Sequence, residues 1–266
     1  DNVKIPKMYA VRQRFEEQKI ENVVDETKKQ LKKAFGEADF TGKKIAVTAG
    51  SRGISHSVEI LCTILGFLKE KGADPFIVPA MGSHGGATMK GQIDVLSHLG
   101  ITPESMNVPF EPSMETVELG TLTCGLPVYF SKVAYEADGV FIMNKVKPHA
   151  DFKGEHESGL VKMLAIGLGK HKGCASLHKL GFANFSWALP EAAKLILEKA
   201  PIIGGIGIVE NAYDEPVVLE AVPAERIIER DKELLKLAKN NMSKIKVKQL
   251  DVLIIDEIGK NISGEG

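Results

Sequence analysis

The sequence predicts an α/β protein: a mainly parallel sheet with helices on both faces, in a Rossmann-like arrangement. Three observations predict it. Short Val/Ile-rich runs recur along the chain, each continuously apolar rather than alternating, as strands buried on both faces require. Segments of helical periodicity alternate with them. Polar loops that carry glycine or proline follow directly on three of the apolar runs.

The elements follow in order. Residues 23–35 (VVDETKKQLKKAF) place Val24, Thr27, Leu31 and Phe35 at helical spacing, and Gly36 supplies a stop. Residues 44–50 (KIAVTAG) form a short strand. Residues 57–73 form a long amphipathic helix that Gly72 ends. A second strand covers 75–82, and 88–100 read as a helix with Thr88 as N-cap and Gly100 as stop. Short strands are expected near 116–122 and 127–130, and a third buried strand at 138–146 (DGVFIMNKV). Residues 185–200 are helical, with Pro190 expected to break or kink them. A strand weakened by glycines covers 202–211. A strong helix covers 223–241, with Pro223 near its start. The run LDVLIIDEIG, 250–259, reads as a last buried strand.

Composition narrows the function classes. The chain has 266 residues, 44% hydrophobic and 26% charged, which is enough to bury a core. A net charge of -1 argues against binding nucleic acid or an anionic membrane through bulk charge. Three widely spaced cysteines, Cys62, Cys124 and Cys174, read as reduced thiols of a cytoplasmic protein, not a disulfide framework. No run approaches the roughly 18 apolar residues of a membrane span, and the first residues lack the apolar core of a secretory signal. The final strand runs into a Gly-rich loop. Residues 1–240 are therefore expected to be one α/β N-terminal domain, and 241–266 the start of a truncated C-terminal domain.

Loops leaving the carboxyl ends of parallel strands lie along one edge, where ligands bind. The loops AGSRGISHS, AMGSHGGAT and KVKPHADFKG would thus bring Arg52, His84 and His149 to one cleft. Gly82, Gly85 and Gly86 around His84 allow close backbone approach to a ligand; the plainer reading is a strand-to-helix turn with an exposed histidine. Arg52 offers a planar fork for a carboxylate or phosphate, or is a solvated loop residue. His149, near Lys145 and Lys147, is expected to have a lowered pKa, which suits a neutral base. Lys162, in the apolar run SGLVKMLAIGLG, is a candidate nucleophile or a lysine whose amine reaches out to water. His171 and His178, seven apart, would share a helix face and offer a weak metal signal. His156, flanked by glutamates, reads as solvated, His56 and His98 as structural or surface residues, and Cys174 as a small buried filler.

In order and spacing, GSHGGAT, NKVKPH, SGLVKM…GLG and the later His178 resemble the nickel-dependent lactate racemase family. The resemblance runs from Val47 to His178. It implies a racemase or epimerase of 2-hydroxy acids that binds a nickel-pincer nucleotide. In that reading Lys162, with Ser158, Gly159 and the glycines 82, 85 and 86, holds the cofactor, and His178 ligates nickel. His84 and His149 are the acid/base pair, and Arg52 binds the substrate carboxylate. The implied partners are a small 2-hydroxy acid and the enzymes that make the cofactor. The chain departs from the family at Ala49, where the family is acidic. It departs again at Leu160-Val161, where two glycines are replaced and room for the nucleotide is expected to shrink. The stretch from His149 to Lys162, which holds KGEHES, is also longer than in the family. Two other readings use the same residues: a zinc- or phosphate-dependent hydrolase or lyase, and a non-catalytic protein that binds a small acid or nucleotide.

Overall fold

The computed structural model describes residues 7 and 9–257. Its centre is a five-stranded sheet of β1 (Lys44–Ala49), β2 (Asp74–Pro79), β5 (Gly139–Lys145), β6 (Ile202–Glu210) and β7 (Pro216–Pro223), in the order β2-β1-β5-β6-β7. The first four strands are parallel, and β7 runs antiparallel to β6. A two-stranded antiparallel hairpin, β3 (Thr116–Thr121) and β4 (Pro127–Ser131), stands apart from it. The helices are α1 (Val23–Phe35), α2 (Ser57–Glu70), α3 (Met89–His98), α4 (Pro103–Met106), α5 (Lys132–Tyr135), α6 (Leu160–Lys162), α7 (Lys170–His178), α8 (Phe185–Lys199) and α9 (Ile227–Asn241).

Alternation along the strands sorts the core into two layers. Ile45, Val47, Phe141 and Met143 face α1, α2 and α4. Ala46, Val140 and Ile142 face the β3–β4 hairpin and α6 to α8. A smaller cluster packs Leu234, Leu235 and Ala238 of α9 on Val146 and Val209. The Thr88 side chain caps α3 as expected, accepting from Gly91 N at 3.1 Å, and the Asn22 side chain caps α1, accepting from Asp25 N at 3.0 Å. Among the described residues no helix is long and apolar enough to cross a membrane.

Four expectations change. The buried stripe of α1 begins at Val23, not Val24. Helix α8 continues through Pro190. The bond that proline cannot make would fall on the Ser186 carbonyl, in the exposed first turn, where the carbonyl is open to solvent. Strand β7 falls where no element is expected from the sequence, and PVVLEAVP carries proline at both ends. It lies at the sheet edge, where proline is tolerated. The strand expected at 250–259 does not form over its described part: residues 250–257 are exposed, Ile254 at 84%, and no described strand pairs with them. An apolar run becomes a strand only beside a partner. Residues 258 and 259 lie outside the described residues.

Candidate active site

The three polar loops leave β1, β2 and β5, which are neighbours in the sheet. Chain order reverses between β1 and β5, with β2 on one side of β1 and β5 on the other. A crevice outside the carboxyl ends at such a reversal is where open α/β sheets bind ligands.

One group of residues forms where the loops after β1 and β2 meet. Ser51 Oγ lies 2.5 Å from His84 Nδ1, so the residue beside Arg52 holds the imidazole of the Gly-rich loop. Ala80 N donates to Ala49 O at 2.8 Å and extends the pairing of β1 and β2 by one step. Ser55 N donates to Glu210 Oε1 at 2.9 Å, and Lys145 pairs with the other oxygen of that carboxylate. The end of β6 thereby anchors the arginine loop. Arg52 itself is half-buried and forms no ion pair with a described residue.

The three loop glycines serve different ends. All have positive φ, of 60°, 67° and 63° for Gly82, Gly85 and Gly86. A Cβ at Gly85 would lie 2.5 Å from Gly91 C and 2.6 Å from Gln92 N, inside the backbone of α3. A Cβ at Gly82 would press on Ile166 and Cys174 at 3.3 and 3.4 Å. Only at Gly86, of the three, does the space stay open. Two glycines therefore admit protein neighbours, and one leaves room.

A second group gathers on three phenylalanine rings. His149 lies 4.5 Å from the Phe152 centroid and 6.1 Å from that of Phe182. His178 lies 5.6 Å from Phe182 and 5.1 Å from Phe185. Lys162 Nζ stands 5.7 Å from the Phe152 centroid. Burial pushes the His149 pKa down to about 4, helped by the charge of Lys162 and, more weakly, of Lys147. The depression expected from the sequence is present, but its cause is mainly burial, and Lys145 is engaged with Glu210. Asp151 N donates to His149 Nδ1 at 3.2 Å, so the neutral ring carries its proton on Nε2. At His178 the opposite holds. Nδ1 lies 2.7 Å from the Cys174 carbonyl, which can only accept, so in the neutral ring Nε2 is the bare donor atom.

The groups touch. Gly82 N donates to Gly167 O at 3.2 Å. Ser83 Oγ lies 3.7 Å from Cys174 Sγ, which lies 3.5 Å from His178 Nδ1. Burial alone would raise the Cys174 thiol pKa; the contacts with His178 and Ser83 outweigh it and hold it below its ordinary value. The Cys174 contact raises the His178 pKa. Cys174 is thus buried, as expected, and also a partner of the candidate metal ligand. His171 is exposed at the other end of α7, and seven residues of helix set it about 10 Å from His178, too far to share an ion. Among the described residues no cluster of three or more His, Cys, Asp or Glu is arranged to hold a metal.

A family model described as the lactate racemase N-terminal domain matches residues 3–187. This chain belongs to that family. The fold agrees: the structure of the lactate racemase apoprotein from Thermoanaerobacterium thermosaccharolyticum superposes with a TM-score of 0.53 at 17% identity. The match covers 78% of this chain and 54% of that one, so this lactate racemase relative spans about half the length of the solved protein. No curated protein matches the sequence.

Sequence reasoning missed the residues that hold the second group in place. His156, expected to be solvated, is only 4% exposed and has its Nδ1 2.9 Å from Asp231 Oδ2. Glu157, also buried, accepts from His149 N at 2.7 Å and Gly154 N at 3.2 Å, and pairs with Lys239 Nζ at 2.7 Å. Lys170 is fully buried with φ of 54° and donates to the Pro79 carbonyl, just before the His84 loop, at 2.5 Å. Burial lowers its pKa to about 8. Leu160 and Val161 are fully buried in the core. The side chains that replace two glycines of the family pattern thus fill the interior.

Proposed function

We propose that this chain carries the N-terminal half of a 2-hydroxy-acid racemase or epimerase that works with a nickel-pincer nucleotide. The observation that supports it is the Ser51–His84 pair, on the loops of Arg52 and His84, joined through Ser83 and Cys174 to the cluster of His149, Lys162 and His178 at one sheet edge, in a chain of the lactate racemase family. Arg52 would bind the substrate carboxylate with its planar fork.

The residues fit the cofactor. Lys162 offers an amine and His178 a single imidazole donor. A zinc site built from protein alone needs three or four such ligands. One imidazole suits a group that brings its other metal ligands with it. When bound, that group would supply the acceptor for the substrate hydride.

The chain's own part is proton transfer and orientation. His149 is neutral at pH 7, as a base must be, with Nε2–H as the resting donor. Taking a proton at Nε2 requires the short-range Asp151 hydrogen bond to Nδ1 to give way. Ser51 orients His84, and with Nδ1–H donating to Ser51 Oγ, His84 Nε2 is the base. The phenylalanine cluster shields His149, whose side chain is 13% exposed, from most of the solvent.

The test is intact mass spectrometry after co-expression with the cofactor-synthesis enzymes, followed by a stereochemical screen of 2-hydroxy acids. The expected result is nickel, a covalent adduct on Lys162 that Lys162→Ala abolishes, and interconversion of stereoisomers. Zinc with an unmodified Lys162 would overturn the reading in favour of a hydrolase or lyase. Ligand binding without turnover would reduce it to a binding protein.

A further inference from the structure

We propose that Asp231 is a positioning residue for Lys162, and that the buried His156–Asp231 pair fixes the turn from which Lys162 projects. The inference deepens the reading of Lys162 as the cofactor anchor and rests on it. Asp231 lies in α9, beyond residues 3–187 that the family model matches.

The geometry is specific. Asp231 is 1% exposed. One oxygen, Oδ1, accepts from Leu160 N at 2.6 Å and lies 3.4 Å from Val161 N, the first two residues of α6. The other, Oδ2, lies 2.9 Å from His156 Nδ1. A carboxylate at the first turn satisfies N–H groups that have no partner within the helix. Here α6 passes without a break into a π-helical stretch, Met163–Gly167, so the carboxylate caps the start of the whole helical segment and holds the turn that carries Lys162. Lys162 is the last residue of that turn.

Gly159 is the complement. A Cβ there would stand 2.1 Å from Asp231 Oδ1, so the glycine of the Ser158-Gly159 pair is where the carboxylate enters. The other side of the segment is held as well. Asn144 Nδ2 donates to Gly159 O at 2.7 Å, and Ser158 and Lys147 exchange backbone hydrogen bonds of 2.8 and 3.1 Å. None of the contacts of Asp231 reaches the ring cluster, so its effect on the site passes through the backbone of residues 159–161. His156 holds the carboxylate from the opposite side in a buried charge-assisted contact, the environment in which such contacts are strongest.

The experiment compares Asp231→Ala and Asp231→Asn with the parent chain. Asn keeps an acceptor for Leu160 N; Ala removes it. In the apoprotein, at a temperature where circular dichroism matches the parent, the rate at which acetic anhydride acetylates Lys162 is read by peptide mass spectrometry. Exposed lysines of the same sample serve as internal standards. Asp231→Ala is expected to change that rate about tenfold, and Asp231→Asn by less than about twofold. After co-expression with the cofactor enzymes, the adduct on Lys162 should fall in the same order. Gly159→Ala covers the case in which Asp231→Ala does not fold. It pushes the carboxylate away without removing it and should shift the labelling in the same direction. If both variants fold, Gly159→Ala should add little in an Asp231→Ala background.

Labelling at the parental rate in folded Asp231→Ala, or in folded Gly159→Ala, would overturn the proposal. An Asp231→Ala chain that only melts earlier is that same negative result. Absence of any adduct in the parent would instead count against the cofactor reading, and the labelling comparison would still decide the role of Asp231.

Discussion

The two histidine-bearing loops are built by different means. The loop around His84 is shaped by backbone. It leaves β2, turns through three glycines of positive φ, and is pinned by main-chain bonds and the Ser51 hydroxyl. The segment around His149 and Lys162 is shaped by buried charge. Glu157 holds its start against Lys239, and Asp231 holds its end against His156. The first device is local in sequence. The second draws on a helix more than 70 residues away. A backbone-built loop tolerates changes of charge but not of shape. A charge-built loop should show the reverse.

The sharpest test of the first half is Gly85→Ala. The new methyl group would enter the α3 backbone at 2.5–2.7 Å, and no rotamer relieves a Cβ. Left-handed strain of about 1–2 kcal/mol adds to the overpacking, for a loss of about 4 kcal/mol in urea unfolding. A loss below about 1 kcal/mol would show that the loop can rebuild.

Glu157→Ala tests the second half. It strips His149 N and Gly154 N of their acceptor and leaves Lys239 without its partner. Removing one member of a fully buried pair costs about 3–5 kcal/mol; the Lys239 side chain is 40% exposed, which lowers the expectation to about 2 kcal/mol. Limited proteolysis should then cut within 149–157 while the His84 loop stays intact. Equal cleavage in both loops would break the distinction.

The pH response separates the regions again. His149 has a folded pKa of about 4 against an ordinary 6.5. Between those values the unfolded chain binds more protons, so stability rises with pH across this window and is lost as pH falls from 6.5 towards 4. The expected loss is on the order of 1–2 kcal/mol after allowing for solvent screening, and His149→Gln should remove it. NMR titration of the imidazole should give a midpoint near the lower figure. A midpoint at 6.5 would show that the ring is not desolvated.

What was legible in the sequence follows the same division. Strands β1, β2, β5 and β6 announced themselves as Val/Ile runs, and the placing of three polar loops after three of them was enough to gather Arg52, His84 and His149 at one edge. Glycines could be recognised as special, but not which neighbour each one admits. Gly159 makes room for Asp231, a residue 72 positions later, and no local pattern encodes that. His156 and Glu157 looked like a solvated charged stretch because their partners, Asp231 and Lys239, lie on α9. Residues 250–257 carried the pattern of a buried strand, yet burial needs a neighbouring strand, and sequence periodicity does not say whether one is there.

Gly86→Ala should have the smallest effect and is the control for the backbone-built loop. Its φ of 63° is left-handed, like that of Gly85, but no atom lies within 4 Å of the added Cβ. Strain of about 1–2 kcal/mol opposes a gain of about 0.4–1 kcal/mol, because the unfolded chain loses freedom when glycine becomes alanine. The net change should be at or below about 1 kcal/mol, a quarter of that at Gly85. Stability is only half of the measurement, because the open side of Gly86 is the one place among these three glycines where a ligand could approach the backbone. If the loop receives the cofactor or substrate, Gly86→Ala should leave urea unfolding nearly unchanged while lowering the Lys162 adduct or the apparent affinity for a 2-hydroxy acid. If neither changes, the glycines serve the turn alone, and ligand recognition at this edge rests on Arg52 and the two histidines.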